Sequence, residues 1–318
     1  MQLNGIFSDL FTFNILINCF SQLGQISLSF AVFATILKKG YQPDAITFNT
    51  LIKGLCLKGD IDEALHFHRD LLARGFRLDQ VSYRILINGL FKVGEVNKAK
   101  DIFNAMAQNG VAPDVRSYNI MINGFCKIKM VDEAVNLFNE MICRKIIPDK
   151  ITYTSLIDGL CKLGKIEYAL EFVDDRSQPL DIYTYNSILD ALFKNHRVDE
   201  AIALLTKIEE KGIQPDMHTY TIHIHGLCIG ERLEDARKVF ESLLAKGYNL
   251  NVYTYTVMIK GFCNGGLFDE ALTMLSKMEE NGCIPNDKTY ETIILSLFKK
   301  GENNKAEKLI HEMIERAD

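Results

Sequence analysis

A 35-residue internal repeat is the feature that most constrains what this 318-residue chain can fold into. The segments DAITFNTLIKGLCLKGDIDEAL, DVRSYNIMINGFCKIKMVDEAV and NVYTYTVMIKGFCNGGLFDEAL share one pattern at different points of the chain. Numbered from the residue after the terminal Asp or Asn, the repeats are 10–44, 45–79, 80–114, 115–149, 150–181, 182–216, 217–251, 252–286 and an incomplete 287–318, preceded by residues 1–9 as the tail of an earlier repeat. One such unit is too small to bury its own apolar residues, so the period predicts a stacked array with a shared core.

Two amphipathic helices fit each repeat. Apolar residues fall at positions 4, 7, 8 and 11, as in Tyr118, Met121, Ile122 and Phe125, which is the spacing of one helical face. A second stripe follows a glycine near position 15, which is typical of a helix C-terminus, and an alanine at position 20 favours close helix crossing. We therefore predict an all-α, right-handed α-solenoid superhelix of about nine helix-turn-helix repeats, with the position-4 aromatic as a packing residue.

The composition and the cysteine pattern argue against a catalytic, metal or membrane protein. Charged residues make up 24% of the chain, and no apolar run reaches the roughly 20 residues that a membrane helix needs. Five of the eight cysteines recur at one position of the repeat, which indicates buried reduced thiols: Cys56, Cys126, Cys161, Cys228 and Cys263. With no CxxC pair, phosphate loop or catalytic triad, we expect no cofactor, no small-molecule substrate and no enzymatic activity.

The segments ITFNTLIKGLCLKGDIDEAL and ITYTSLIDGLCKLGKIEYAL closely resemble the pentatricopeptide repeat family of plant organelles, over residues 10–318. The uniform period resembles the P-class, and LINCFSQLGQISLSFAVFATILKKGYQPD resembles its fertility-restorer-like branch. The resemblance implies sequence-specific binding of single-stranded RNA, one base per repeat, in the processing, stabilisation or cleavage of organelle transcripts. It also implies a mitochondrial location, with the plastid as the alternative, and an organelle nuclease or processing factor as a further partner.

In this family, position 5 and the last residue of each repeat read one base. The resemblance assigns uracil to Asn14 with Asp44, Asn49 with Asp79, Asn119 with Asp149, and Asn186 with Asp216; guanine to Thr154 with Asp181; and adenine to Thr221 with Asn251 and Thr256 with Asn286. The third repeat departs from the pattern with Arg84 and Asp114, which pair with each other or leave Arg84 free for phosphate. The ninth has Glu291 and lacks a terminal partner. The implied target is 5′-UUNUGUAA-3′.

Two further positions follow from the same resemblance. Position 2 is expected to sandwich the bases: Phe11, Ile46, Val81, Arg116, Ile151, Tyr183, His218 and Tyr253, whereas Lys288 fits poorly. Position 13 is expected to contact phosphate: Lys92, Lys127, Lys162 and Lys194, with Lys299 in the last repeat. The net charge of -5 gives no bulk sign of nucleic-acid binding, so these lysines would have to supply a local positive field. Simple matching of the helix dipole is the alternative role for them.

Two other functions remain open for the sequence. One is a protein-binding scaffold built from similar hairpins, and the other is a truncated paralogue that folds but binds RNA weakly. The paired Asn/Thr and Asp/Asn residues favour RNA binding, because a scaffold has no need to keep them. We see no Arg- and Ser-rich leader, so we expect the chain to be a fragment or a shortened member of the family.

Overall fold

Helices account for all the regular structure in the computed structural model, which describes residues 9–174 and 180–315. The helices are α1 (Leu10–Gln22), α2 (Ile26–Lys38), α3 (Ala45–Lys58), α4 (Ile61–Ala73), α5 (Gln80–Lys92), α6 (Val96–Gln108), α7 (Val115–Lys127), α8 (Val131–Cys143), α9 (Lys150–Lys162), α10 (Ile166–Asp174), α11 (Ile182–Lys194), α12 (Val198–Glu210), α13 (Met217–Ile229), α14 (Leu233–Ala245), α15 (Val252–Asn264), α16 (Phe268–Glu280), α17 (Asp287–Lys299) and α18 (Asn303–Glu315). The all-α prediction is confirmed. Residues 1–8, 175–179 and 316–318, where we predicted the tail of an earlier repeat and parts of the fifth and ninth repeats, lie outside the described residues.

The chain forms two compact units, residues 1–159 and 160–318. Within the first unit, α1–α2, α3–α4, α5–α6 and α7–α8 are helical hairpins, and α1, α3, α5 and α7 pack side by side. Within the second unit, α11, α13, α15 and α17 form the equivalent layer, each paired with the helix that follows it. Second helices also contact the first helix of the next repeat, as α4 does α5 and α16 does α17. Each hairpin thus buries its apolar faces against its neighbour, as expected of stacked repeats.

The predicted packing positions form the core. The alanines at position 20 have no exposed surface: Ala64, Ala99, Ala134, Ala169, Ala201, Ala236, Ala271 and Ala306. The position-4 aromatics are buried, apart from the half-buried Tyr153 and Tyr220. Edge-on contacts join repeats, since the Phe103 ring lies 5.1 Å from Tyr118 and the Phe240 ring lies 5.1 Å from Tyr255. The position-4 aromatics are therefore packing residues and are not available to stack on bases.

One histidine occupies a place in this core that phenylalanine fills in other repeats. His68 is 2% exposed, and its ring centroid lies 5.0 Å from that of Tyr83 in an edge-on contact. Neither ring nitrogen of His68 has a hydrogen-bond partner among the described residues. Burial lowers the pKa of His68 to about 4, so the ring is neutral at physiological pH.

The recurring cysteines pack where neighbouring first helices approach most closely. A Cβ added at Gly89 would lie 2.9 Å from the Cys56 sulfur, and one added at Gly261 would lie 2.5 Å from the Cys228 sulfur. Burial raises the pKa of Cys56 to about 11 and that of Cys228 to about 12, so both remain thiols. The five recurring cysteines are buried or half-buried, but Cys19 and Cys143, outside this pattern, are exposed. A glycine at position 10 of the next repeat, which we did not single out from sequence, makes this approach possible at Cys56, Cys126 and Cys228.

The turn after each first helix needs a left-handed residue at position 15. The predicted glycines adopt it, with φ of 72° at Gly24 and 93° at Gly59. Lys129, His196 and Glu231 occupy the same position with φ of 65°, 59° and 59°. A side chain with a Cβ is strained in this region, so these three repeats keep the turn geometry at an energetic cost.

Candidate nucleic-acid interface

The terminal Asp or Asn of each repeat is the N-cap of the next repeat's first helix. Its backbone is extended, and its side chain accepts a hydrogen bond from the backbone N–H three residues later. The Thr47 nitrogen lies 2.8 Å from Asp44 Oδ1, and the Thr254 nitrogen lies 3.0 Å from Asn251 Oδ1. Capping explains why this position takes Asp or Asn. We did not predict this capping role, although an Asp or Asn before an amphipathic stretch was its visible signal.

The predicted uracil-reading residues meet in space. The amide nitrogen of each position-5 asparagine donates to the terminal aspartate of its repeat: Asn14 to Asp44 at 3.2 Å, Asn49 to Asp79 at 3.1 Å, Asn119 to Asp149 at 2.9 Å, and Asn186 to Asp216 at 3.5 Å. The first three bonds have ordinary geometry and the fourth is long. Packing of adjacent first helices therefore places residues 30 apart in sequence side by side.

A third polar group joins each of these pairs. Position 3 of the following repeat is always Ser or Thr. In three of the four pairs its hydroxyl donates to the asparagine oxygen: Thr47 to Asn14 at 2.7 Å, Ser82 to Asn49 at 2.5 Å, and Thr152 to Asn119 at 2.6 Å. In the two repeats predicted to read adenine, the position-3 hydroxyl links the partners instead. Thr254 lies 3.0 Å from the Thr221 hydroxyl and 3.1 Å from Asn251 Oδ1. We did not predict from the sequence that position 3 contacts the reading pairs, although a Ser or Thr at this position in every repeat was the visible signal.

The third and fifth repeats differ from this arrangement. Arg84 Nη1 donates to Asp114 Oδ2 at 2.9 Å, so of our two expectations for Arg84 the structure shows the pairing with Asp114. Thr154 belongs to the first unit, where its hydroxyl donates to the Lys150 carbonyl at 2.8 Å. Asp181 belongs to the second unit, where it caps α11.

The carboxyls of the four Asn–Asp pairs are ionised at neutral pH. Partial burial acts to raise the pKa of Asp44, but hydrogen bonds from Thr47 and Asn14 outweigh it, so the pKa lies below its ordinary value. The pKa values of Asp79, Asp149 and Asp216 are lowered by the same balance. An ionised carboxylate only accepts hydrogen bonds, so each of these sites presents an acceptor beside an amide donor.

The predicted sandwiching residues stand exposed beside these polar groups. Phe11 is 70% exposed, Ile46 61% and Tyr253 61%, whereas the aromatic residues two places later are buried. Residues two apart on a helix do not share a face, which accounts for the contrast. An open cleft of about 290 Å³ lies between Phe11 and Ile46, and Asn14 and Asp44 line it.

The predicted phosphate lysines are exposed in the last turns of first helices: Lys92, Lys127, Lys162, Lys194 and Lys299. Lys194 is engaged with Asp190 at 2.5 Å. Acidic residues of the second helices are bridged to cations of the neighbouring repeat, as in Lys98 with Asp62 at 3.1 Å and Lys305 with Asp269 at 3.1 Å. These exposed bridges contribute little stability, but they neutralise part of the acidic surface.

In the described ranges, no helix combines the length and apolarity needed to span a bilayer. Among the residues that the structure describes, no three potential metal ligands lie together.

The fold and the repeated polar site together define a helical-repeat protein. The PPR repeat family matches residues 8–57, 44–92, 78–127, 117–162 and 180–229. Further PPR repeat matches cover residues 246–279 and 281–314, and 151–175 and 218–248. The chain therefore belongs to the pentatricopeptide repeat family.

Solved structures of the family have the same fold. The pentatricopeptide repeat protein PPR10 in complex with an 18-nt psaJ RNA element is 24% identical, with a TM-score of 0.72 over 100% of this chain and 47% of that one. PPR10 from maize is 18% identical, with a TM-score of 0.58 over 98% and 59%. The chain thus spans about half the length of these proteins. No curated protein matches the sequence.

Proposed function

We propose that this protein binds single-stranded RNA, one base per repeat. The observation that carries the proposal is the cleft between Phe11 and Ile46, with Asn14 and Asp44 beside it. Two exposed apolar side chains can hold a flat base by both faces, and polar groups in the cleft can hydrogen-bond its edge. The position-2 residues of the other repeats are also exposed, and apart from Lys288 we propose the same role for them.

Hydrogen-bond chemistry supports uracil at the Asn–Asp sites. With Asn49 Oδ1 taken by Ser82 and one amide hydrogen directed to Asp79, the second amide hydrogen remains for a base carbonyl. The carboxylate of Asp79 accepts an N–H. Uracil offers a carbonyl beside a ring N–H, whereas cytosine has an unprotonated ring nitrogen there. The proposed order, carried by the family resemblance, is 5′-UUNUGUAA-3′.

The wider role rests on the family alone. PPR10 is a pentatricopeptide repeat protein solved with RNA, which supports RNA as the ligand class. We propose that this chain, as a P-class, fertility-restorer-like member, occupies sites on organelle transcripts and acts without catalysis of its own. On this proposal it works in mitochondria, and any cleavage comes from a recruited nuclease.

A binding assay with matched RNAs tests the proposal. Fluorescence anisotropy at stated salt compares RNAs containing UUNUGUAA with scrambled RNAs of the same composition. We expect tighter binding of the ordered sequence, and equal affinity for both would refute base reading. Weak but selective binding would favour the truncated paralogue, and no RNA binding would favour the protein scaffold.

Thr154→Asn should move the preference at the fifth base from guanine to uracil, and an unchanged preference would refute the assigned register.

A further inference from the structure

We propose that the position-3 hydroxyl of the following repeat is a positioning residue for base reading. It holds the asparagine amide in one orientation and thereby sets the preference for uracil over cytosine. The inference rests on the proposed RNA-binding function, and it adds a third residue, from the next repeat, to each reading pair.

The second repeat shows the arrangement most completely. Ser82 is fully buried, and its hydroxyl lies 2.5 Å from Asn49 Oδ1 and 3.1 Å from Asp79 Oδ1. Asn49 Nδ2 lies 3.1 Å from the same Asp79 oxygen. The three side chains form a ring of close polar contacts in which the Ser82 hydroxyl donates its one hydrogen to the nearer acceptor, the amide oxygen, and the amide nitrogen donates to the carboxylate.

This ring decides which groups of the amide meet a base. A half-turn of the Asn49 side chain would bring its oxygen against the Asp79 carboxylate and turn its amide nitrogen towards the Ser82 hydroxyl. The carboxylate disfavours that turn by repulsion, and the Ser82 hydroxyl disfavours it because the amide oxygen would lose a donor. Without the hydroxyl, the amide oxygen is left without a protein partner and the donor is held less firmly.

Two other repeats provide internal contrasts. At the sixth repeat, Asn186 Oδ1 is buried with no hydrogen-bond partner among the described residues, and the Thr219 hydroxyl donates to Asp216 at 2.9 Å instead. The ring is open there, so uracil discrimination at the sixth base should be weaker than at the second. At the third repeat, position 5 is Arg84, so Ser117 has no amide to hold. Its hydroxyl donates to Asp114 at 2.7 Å.

Ser82 and Ser117 therefore form a matched pair. Both are fully buried, both follow a capping aspartate, and both have the hydroxyl within hydrogen-bond distance of its carboxylate, but only Ser82 contacts an amide oxygen. Ser82→Ala should lose at least as much thermal stability as Ser117→Ala, because it removes the hydroxyl beside the capping aspartate and also the donor to Asn49 Oδ1. Only the first should alter base preference.

The experiment measures Kd for RNAs that carry U or C at the second base, with the other bases kept as proposed. We expect Ser82→Ala to lower the U-over-C ratio at that base roughly three- to tenfold, the worth of one hydrogen bond, and to leave the fourth base unchanged. Ser82→Thr should retain the ratio because it keeps the hydroxyl. Ser117→Ala should retain it too. Thr47→Val is an independent variant that should lower the ratio at the first base.

The outcomes separate this inference from the function on which it rests. If the wild-type protein prefers U at the second base and Ser82→Ala keeps that preference in full, the positioning role is refuted and base reading stands. An equal loss of preference in Ser117→Ala would also refute it. If the wild-type protein does not distinguish U from C at any base, base reading itself fails and the inference falls with it.

Discussion

Gly226→Ala should destabilise the protein, because neighbouring first helices leave no room for a methyl group there. A Cβ at Gly226 would lie 2.0 Å from Cγ and 2.1 Å from Cδ1 of the Phe193 ring. Carbon atoms pack best at about 3.5–4.0 Å, so the ring or the helix must move by roughly 1.5 Å. Adding atoms to a packed core costs about 1–3 kcal/mol, and a clash with a whole ring belongs near the upper end.

The same substitution carries a compensating gain. Alanine is favoured over glycine in a helix interior by about 1 kcal/mol, so we expect a net loss of about 2 kcal/mol in the free energy of unfolding. Urea denaturation followed by circular dichroism measures the loss. Hydrogen exchange of amides in α11 and α13 locates it, which matters because repeat arrays need not unfold in one step.

A double-mutant cycle tests the cause. Phe193→Ala removes the ring, so Gly226→Ala should change from destabilising in the wild-type background to neutral or stabilising in the Phe193→Ala background. An equal loss in both backgrounds would show that the Phe193 ring is not responsible. If Gly226→Ala stabilises the otherwise wild-type protein, the close approach of α11 and α13 is refuted.

Three further predictions use the same structure. Lys129→Gly should raise the free energy of unfolding by about 0.5–1 kcal/mol, because glycine relieves the left-handed strain at φ 65°; a loss in urea titration would contradict this. His68→Phe should abolish a stability loss that the wild-type protein shows as pH falls from 6.5 towards 4. Because the pKa of His68 is about 4 in the folded protein, the unfolded chain takes up the proton first as the pH falls. The wild-type protein should therefore lose about 3 kcal/mol in its free energy of unfolding relative to the variant. Parallel plots of the free energy of unfolding against pH for the two proteins would contradict this. Tyr253→Ala should weaken RNA binding by about 1–3 kcal/mol, the worth of one stacked base. Tyr168 is similarly exposed, at 59%, but lies on a second helix, so Tyr168→Ala should leave RNA binding unchanged. Equal effects of the two substitutions in anisotropy titrations would contradict the sandwich role.

The sequence by itself determined the helical hairpins and the identity of the packing positions. Apolar spacing, capping residues and turn glycines act within one helix or one turn, so Tyr118 and Ala134 could be assigned to the core from the pattern alone. The same local periodicity placed Phe13 in the core, whereas the role of Phe11 followed only from the family resemblance. The residue types at positions 5 and 35 named the reading pairs only through the family resemblance.

Tertiary structure decided what those residues touch. His68 lies against Tyr83 because the second helix of one repeat packs on the first helix of the next. The Ser82 hydroxyl reaches Asn49 across 33 residues because first helices stack at a distance that no single repeat encodes. That distance depends on side chains from two repeats at once, as the glycine opposite Cys56 shows. The period thus predicted where each reading pair stands, whereas only the packing of adjacent repeats showed which of the Asn–Asp pairs are joined by a third residue.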